Sequence, residues 1–230
     1  IDRSRGLGDV YKRQVEKAVI PKAGSYRSST KSIGDPADIE RLAEILVASE
    51  RPAVLFGQQV WASGSHTSAI EFIRSLDIPA YMNGASRGML PETDPHHFDR
   101  TRSDAFKEAD VILIVGTPFD FRMGYGRRIS NAATLVQIDQ SYATVGKNRD
   151  ISLGLAGDPG AILKAVEQAA SGRIDKGAQK QRQAWMARLR EIEKAKLEKL
   201  LPMFQSEQNP IHPYRFCLLY TSDAADDRVS

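Results

Sequence analysis

Cysteine is nearly missing from this sequence. Cys217 is the only one in 230 residues, which excludes an internal disulfide and a Cys-rich zinc site. Long apolar runs are missing as well: none approaches the ~20 residues that a spanning helix needs. No G-x-G-x-x-G follows the first apolar run and no Walker lysine motif occurs, which argues against a standard NAD or ATP site. The histidines are His66, His96, His97 and His212. Adjacent His96 and His97 would project in different directions, and no acidic partner has metal-ligand spacing with them, so no metal site is expected. Ser63, Ser65 and Ser86 lack the context of a nucleophile elbow, which weakens a Ser-His-Asp hydrolase. Aromatics are not interleaved with basic residues as nucleic-acid binding requires. Neither sign of charge dominates, with Lys+Arg 32 against Asp+Glu 29 and a net of +3.

What is present suits a soluble globular chain, with 41% hydrophobic and 27% charged residues. The reducing cytoplasm is the expected compartment, with no membrane and no nucleic acid among the partners. The two ends read differently from the middle. Residues 4–14 resemble the conceptual translation of a transposon-based sequencing adapter, and residues 217–227 resemble its opposite strand. Residues 1–14 and 217–230 are therefore set aside as adapter-derived tails, like tags and fusion scars. Val15 to Phe216 then reads as an internal piece of a longer gene.

Residues 15–32 are polar, with Pro21, Gly24 and a Ser28 to Thr30 cluster, and read as a linker. Asp35-Pro36 supplies an N-cap and a first-turn proline. Ile39, Leu42, Ala43, Leu46 and Val47 follow on one helical face. Pro52 to Gly57 is a short apolar run ending in glycine, as in a buried parallel strand. A helix from His66 to Leu76, a strand from Pro79 to Met82 and a short helix closing at Ala109 come next. Asp110 to Gly116 is the strongest strand, Leu135 to Asp139 a fourth and Ile151 to Ala156 a fifth. Asp158-Pro159-Gly160 caps a helix through Ala170. Strands alternating with helices predict an α/β fold, a doubly wound parallel sheet over residues 33–172. Beyond Gly172 the composition shifts to Lys, Gln, Arg and Glu. Trp185, Leu189, Ile192, Leu200 and Phe204 mark a sparse stripe on one long connecting helix within residues 173–210.

In an open α/β sheet ligands bind beyond the carboxyl ends of the strands. Four such ends carry suggestive loops. The first holds Gly57, Gln58 and Gln59, the second Met82, Asn83 and Gly84. The third holds Gly116, Thr117, Phe119, Asp120 and Arg122, and the fourth Asp139 and Gln140. Glycine after a strand lets backbone approach a ligand, although each glycine serves equally as a turn former. Arg122 is suited to pair a phosphate, and Asp139 to accept hydrogen bonds from ribose hydroxyls. Arg122, Arg127 and Arg128 form a basic cluster, whose readings are a solvated surface or phosphate binding.

The stretch from Ala109 through Gly116-Thr117-Pro118-Phe119-Asp120-Phe121-Arg122 resembles the central domain of thiamine-diphosphate-dependent enzymes. The resemblance is to the acetolactate synthase (acetohydroxyacid synthase) and 2-hydroxyacyl-CoA lyase branch. Gly84 to Pro91, Leu135 to Asp139, Val145 to Arg149 and Gly157-Asp158-Pro159 extend it, in order, over Ile33 to Gly172. Pro210-Ile211-His212-Pro213 resembles the entry to the diphosphate-binding domain, so residues 211–216 read as its truncated start. The resemblance implies a Rossmann-like, FAD/NAD-binding-type domain flanked in the parent by pyrimidine-binding and diphosphate-binding domains of the same chain. It implies that thiamine diphosphate and Mg²⁺ are held by those flanking domains, so that this chain carries no catalytic residue and is inactive alone. It implies FAD, ADP or CoA at the thirteen strand-end residues named above, and a homo-oligomeric parent. Gln58 and Gln59 stand where a glycine-rich FAD loop is usual. The alternative is a stand-alone nucleotide-binding or structural α/β module without a reaction of its own.

Overall fold

The computed structural model describes residues 19–25 and 30–226. The chain divides into two units, residues 1–30 and 31–230. In the first, the described residues hold a turn at 23–25, where the Ser25 hydroxyl donates to the Lys22 carbonyl at 2.7 Å. Residues 1–14 of the expected adapter segment lie outside the described residues.

The second unit is built on five strands: β1 (Pro52–Phe56), β2 (Ala80–Met82), β3 (Val111–Val115), β4 (Thr134–Asp139) and β5 (Leu153–Ala156). All pair in parallel, in the order β2-β1-β3-β4-β5. The expected doubly wound parallel sheet is therefore present. β1 and β3 are buried throughout because helices cover both faces, which explains their unbroken apolar sequences. The two-residue side-chain period sends Val54, Phe56, Leu113 and Val115 into one layer and Ala53, Leu55, Ile112 and Ile114 into the other.

The first layer is covered by α1 (Pro36–Ala48), α2 (Gln58–Ala62), α3 (His66–Ser75) and α5 (Pro159–Ala170). Asp35 caps α1 by accepting from the Ala37 N–H at 2.8 Å, with Pro36 in the first turn. Asp158 caps α5 through the Ala161 N–H at 2.9 Å. The second layer is covered by α4 (Arg102–Glu108) and α6 (Lys176–Glu198). Trp185 and Leu189 of α6 pack under the sheet, and the Trp185 Nε1 donates to the Pro52 carbonyl at 3.1 Å.

Two elements differ from the sequence expectation. The segment after Gly57, expected as a loop, winds into the five-residue α2, in which Val60 alone is buried. A single buried position in five residues leaves no helical period to read. The long helix also ends earlier than its stripe suggested: α6 stops at Glu198, and Leu200 and Phe204 lie beyond it. Pro202 opens the separate turn α7 (Leu201–Phe204), because proline has no N–H and its ring clashes with the preceding turn. The chain then enters α8 (Pro213–Asp226), on which Leu218 and Tyr220 are exposed.

Candidate functional site

In the strand order the chain leaves β1 toward β2 on one side and returns to β3 on the other. The switch point lies between the carboxyl ends of β1 and β3, where Gly57 and Gly116 face each other. The Gly57 N–H donates to the Val115 carbonyl at 2.7 Å, and the Gln59 N–H to that of Gly116 at 3.2 Å. A Cβ on Gly57 would overlap the Gly116 carbonyl and the Thr117 side chain. Gly116 has φ +69, and a Cβ there would lie 2.7 Å from that of Gln59. Glycine is thus required at both ends for the loops to meet. The Ser86 hydroxyl closes this junction from the β2 side, donating to the Gly57 carbonyl at 2.6 Å.

Gln59 crosses from this junction to β4. Its Nε2 donates to Asp139 Oδ1 at 3.1 Å, and its Oε1 accepts from the Gln140 N–H at 3.0 Å. The Ser141 N–H also donates to Asp139 Oδ1, at 2.8 Å. Asp139 is fully buried, and its Oδ2 has no hydrogen-bond partner among the described residues. Gln58 points outward, with Gly84 3.5 Å from its Cβ were that glycine given one. Of the expected site residues, Gly57, Gln59, Gly116, Thr117, Asp139 and Gln140 therefore gather into one packed, hydrogen-bonded ridge.

The others lie elsewhere. Phe119 is in the second core layer. Asp120 caps the turn at Phe121–Gly126 through the Arg122 N–H at 2.9 Å. It also pairs with the Arg122 guanidinium, at 3.0 Å to Nε and 2.7 Å to Nη2. Desolvation pushes the Asp120 carboxyl up, but the hydrogen bonds and charge of Arg122 outweigh it and hold the group below the usual carboxylate range. Asn83 caps the turn at Gly84–Ser86 and meets Met123 Sδ at 3.6 Å.

Met82 and Arg122 line an open cleft of about 380 Å³, floored by Tyr81, Phe98, Phe106, Met123 and Ile129. This is within the size range of small-molecule sites, ~300–1,000 Å³. Arg87, Arg100, Arg102 and Arg128 stand around it. Their guanidinium groups make no ion pair or hydrogen bond among the described residues. The loop carrying Arg100 is fixed from α6, where Glu193 Oε1 accepts from the Asp99 and Arg100 N–H groups at 2.7 and 2.8 Å. Burial pushes the Tyr81 phenol on the cleft floor up, and its hydroxyl meets that of Thr101 at 3.0 Å. Sequence reasoning noted Arg128 within a basic cluster but missed Arg87, Arg100 and Arg102. The Arg-x-Arg spacing of Arg100 and Arg102 was the available signal, and a loop residue followed by the first residue of α4 has no period to strengthen it. Among the described residues no group of three His, Cys, Asp or Glu is placed to hold a metal ion.

The family described as thiamine pyrophosphate enzyme, central domain, matches residues 39–166. An acetolactate synthase large subunit of Mycobacterium tuberculosis is 33% identical over 184 residues, covering 77% of this chain and 31% of its own length. The 2-hydroxyacyl-CoA lyase 2 of Homo sapiens is 31% identical over 169 residues, 70% of this chain and 25% of that protein. The chain thus spans less than a third of the length of these relatives. Among solved structures, benzoylformate decarboxylase from Polynucleobacter necessarius aligns with a TM-score of 0.53 at 20% identity, over 67% of this chain and 31% of that one. That likeness is one of fold.

Proposed function

The chain belongs to the thiamine pyrophosphate enzymes, as their central domain, and we propose from that premise that it serves an acetolactate synthase-like or 2-hydroxyacyl-CoA lyase-like enzyme by holding a nucleotide-bearing group at the carboxyl edge of its sheet. The observation that carries the nucleotide reading is the cleft at Met82 and Arg122, where four uncommitted guanidinium groups surround an apolar and aromatic floor. Such a cleft suits a phosphate-bearing ligand, because guanidinium forks match phosphate oxygens. Asp139, with one buried oxygen unpartnered at the end of β4, suits the ribose hydroxyls. FAD, ADP and CoA share this chemistry.

In this proposal the reaction itself belongs to other domains of the complete enzyme, which hold thiamine diphosphate and Mg²⁺. When bound there, thiamine diphosphate would supply an electron sink for breaking or making the C–C bond at the carbonyl carbon of a 2-keto acid or 2-hydroxyacyl-CoA. This chain's part is positioning. The same proposal places the parent in the cytoplasm as a homo-oligomer.

The test is calorimetric titration of FAD, ADP and CoA into the chain and into Arg100→Ala and Arg128→Ala. Charge-assisted hydrogen bonds are worth ~1.5–3 kcal/mol when dry and less at an exposed rim, so each variant should lose roughly three- to tenfold in affinity. Arg173→Ala is the control, since Arg173 pairs with Glu40, away from the cleft. No binding of any of the three at millimolar concentration, or arginine variants that bind as well as the parent, would leave a purely structural module.

A further inference from the structure

We infer that Gln59 is a removable plug, whose side chain fills the place at the end of β4 where the ribose hydroxyls of a nucleotide would meet Asp139. This rests on the nucleotide reading above and adds how that site is kept shut.

The geometry has three parts. The Gln59 carboxamide offers a donor and an acceptor together, one to Asp139 Oδ1 and one from the Gln140 N–H. A pair of ribose hydroxyls offers the same two functions. Asp139, meanwhile, is only half satisfied by the protein. Its Oδ2 is buried with no partner among the described residues, which is costly for a carboxylate. A second hydroxyl would supply what the single amide of Gln59 cannot. Finally, the plug is loosely built. Gln59 is half-buried, so one side of it already faces water, and α2 is five residues long with no side-chain cap at Gly57. The Ser141 N–H keeps Asp139 Oδ1 bonded when the amide leaves.

A side chain that must leave before the ligand enters lowers apparent affinity by the fraction of molecules with the site open. Removing it should raise affinity. The experiment titrates ADP and 2′,3′-dideoxy-ADP into the full chain, Gln59→Ala and Gln59→Ala/Asp139→Asn. Gln59→Ala should bind ADP roughly tenfold or more tightly than the parent, since two hydrogen bonds no longer have to be displaced. The dideoxy nucleotide should show no such gain, and Asp139→Asn should cancel it. Equal ADP affinity in parent and Gln59→Ala, or an equal gain for the dideoxy nucleotide, overturns the plug while leaving the nucleotide reading standing. Absence of binding to any form at millimolar concentration overturns both. The parent alone gives a second readout, the ¹⁵N resonance of the Gln59 side-chain amide. It should shift from its hydrogen-bonded position in the free protein toward that of a solvated glutamine amide at saturating ADP, and an amide unmoved by saturating ADP overturns the plug.

Discussion

Replacing Arg182 by methionine should cost this protein a large part of its stability. Arg182 sits on α6 among charged neighbours, yet it is fully buried. Among the described residues its guanidinium meets no carboxylate. It donates to three backbone carbonyls: Ser49 at 3.1 Å through Nε, Leu76 through Nη1 and Leu46 through Nη2. Those carbonyls belong to the last turns of α1 and α3, where helices leave acceptors unsatisfied and their dipoles favour a cation. One side chain therefore closes two helix ends. Burial pushes the guanidinium below its usual value, with the charges of Asp110 and Asp77 acting against the shift, and arginine still remains charged in proteins. Methionine keeps most of the volume but strips the Ser49 and Leu76 carbonyls, while Leu46 keeps the Ser49 N–H at 3.2 Å. Each stripped acceptor costs about 1–3 kcal/mol. A cavity of about 160 Å³ beside Ser75, Asp77 and Arg182 admits water to part of the gap. Relief from the cost of burying a charge offsets some of the rest, which leaves about 2–4 kcal/mol for the substitution. Typical domains hold ~5–15 kcal/mol in all. Urea unfolding followed by circular dichroism measures it, with an unchanged denaturant slope. Arg182→Lys should fall between, because an ammonium lacks the planar fork. A loss for methionine below about 1 kcal/mol, the range of ordinary surface changes, would refute the two-helix cap.

Gly57→Ala should destabilise by about 2–3 kcal/mol, because the added methyl overlaps Gly116 and Thr117 at the switch point, and the same unfolding assay reads it. Trp185→Phe should lose about 1–2 kcal/mol with the bond to the Pro52 carbonyl, whereas no change would mean that the indole nitrogen is dispensable. Asp94 supplies a pH test. Desolvation raises its carboxyl, but the Arg74 and His96 hydrogen bonds and the Arg74 charge outweigh it and hold it below the usual range. A depressed folded pKa stabilises above the unfolded value of about 4 and is lost as pH falls through the folded one. The stability gap between the parent and Arg74→Met should therefore be full at neutral pH and close in acid, and a gap constant with pH would count against the pair.

Much of the fold was legible because its signals are local. The Val111–Val115 run, the Asp35-Pro36 and Asp158-Pro159 caps and the α1 stripe each declare an element within a few residues. The site was legible only in position. Parallel strands place their ends together, so residues after β1, β3 and β4 were bound to be neighbours, but nothing near Gln59 says that it reaches Asp139, 80 residues away. Arg182 was hidden for a related reason. In a segment rich in Lys, Gln, Arg and Glu, one buried arginine has the same spelling as its solvated neighbours, and its partners lie 106 to 136 residues back. The arginine cleft draws on loops that follow β2, precede α4 and follow β3, and charge on loops carries no periodic mark.

The placing of α6 sets the order in which the molecule can be completed during synthesis. Trp185 reaches Pro52 across 133 residues, after every strand and the whole first layer have been made. Until then Leu55, Ile112 and Ile114 form an apolar face only partly covered by α4, the kind of surface on which unfinished proteins aggregate or recruit chaperones. Cutting the chain after Gly172 would therefore not yield a smaller domain. It would leave the second layer covered by α4 without Trp185 and Leu189, and the ends of α1 and α3 uncapped.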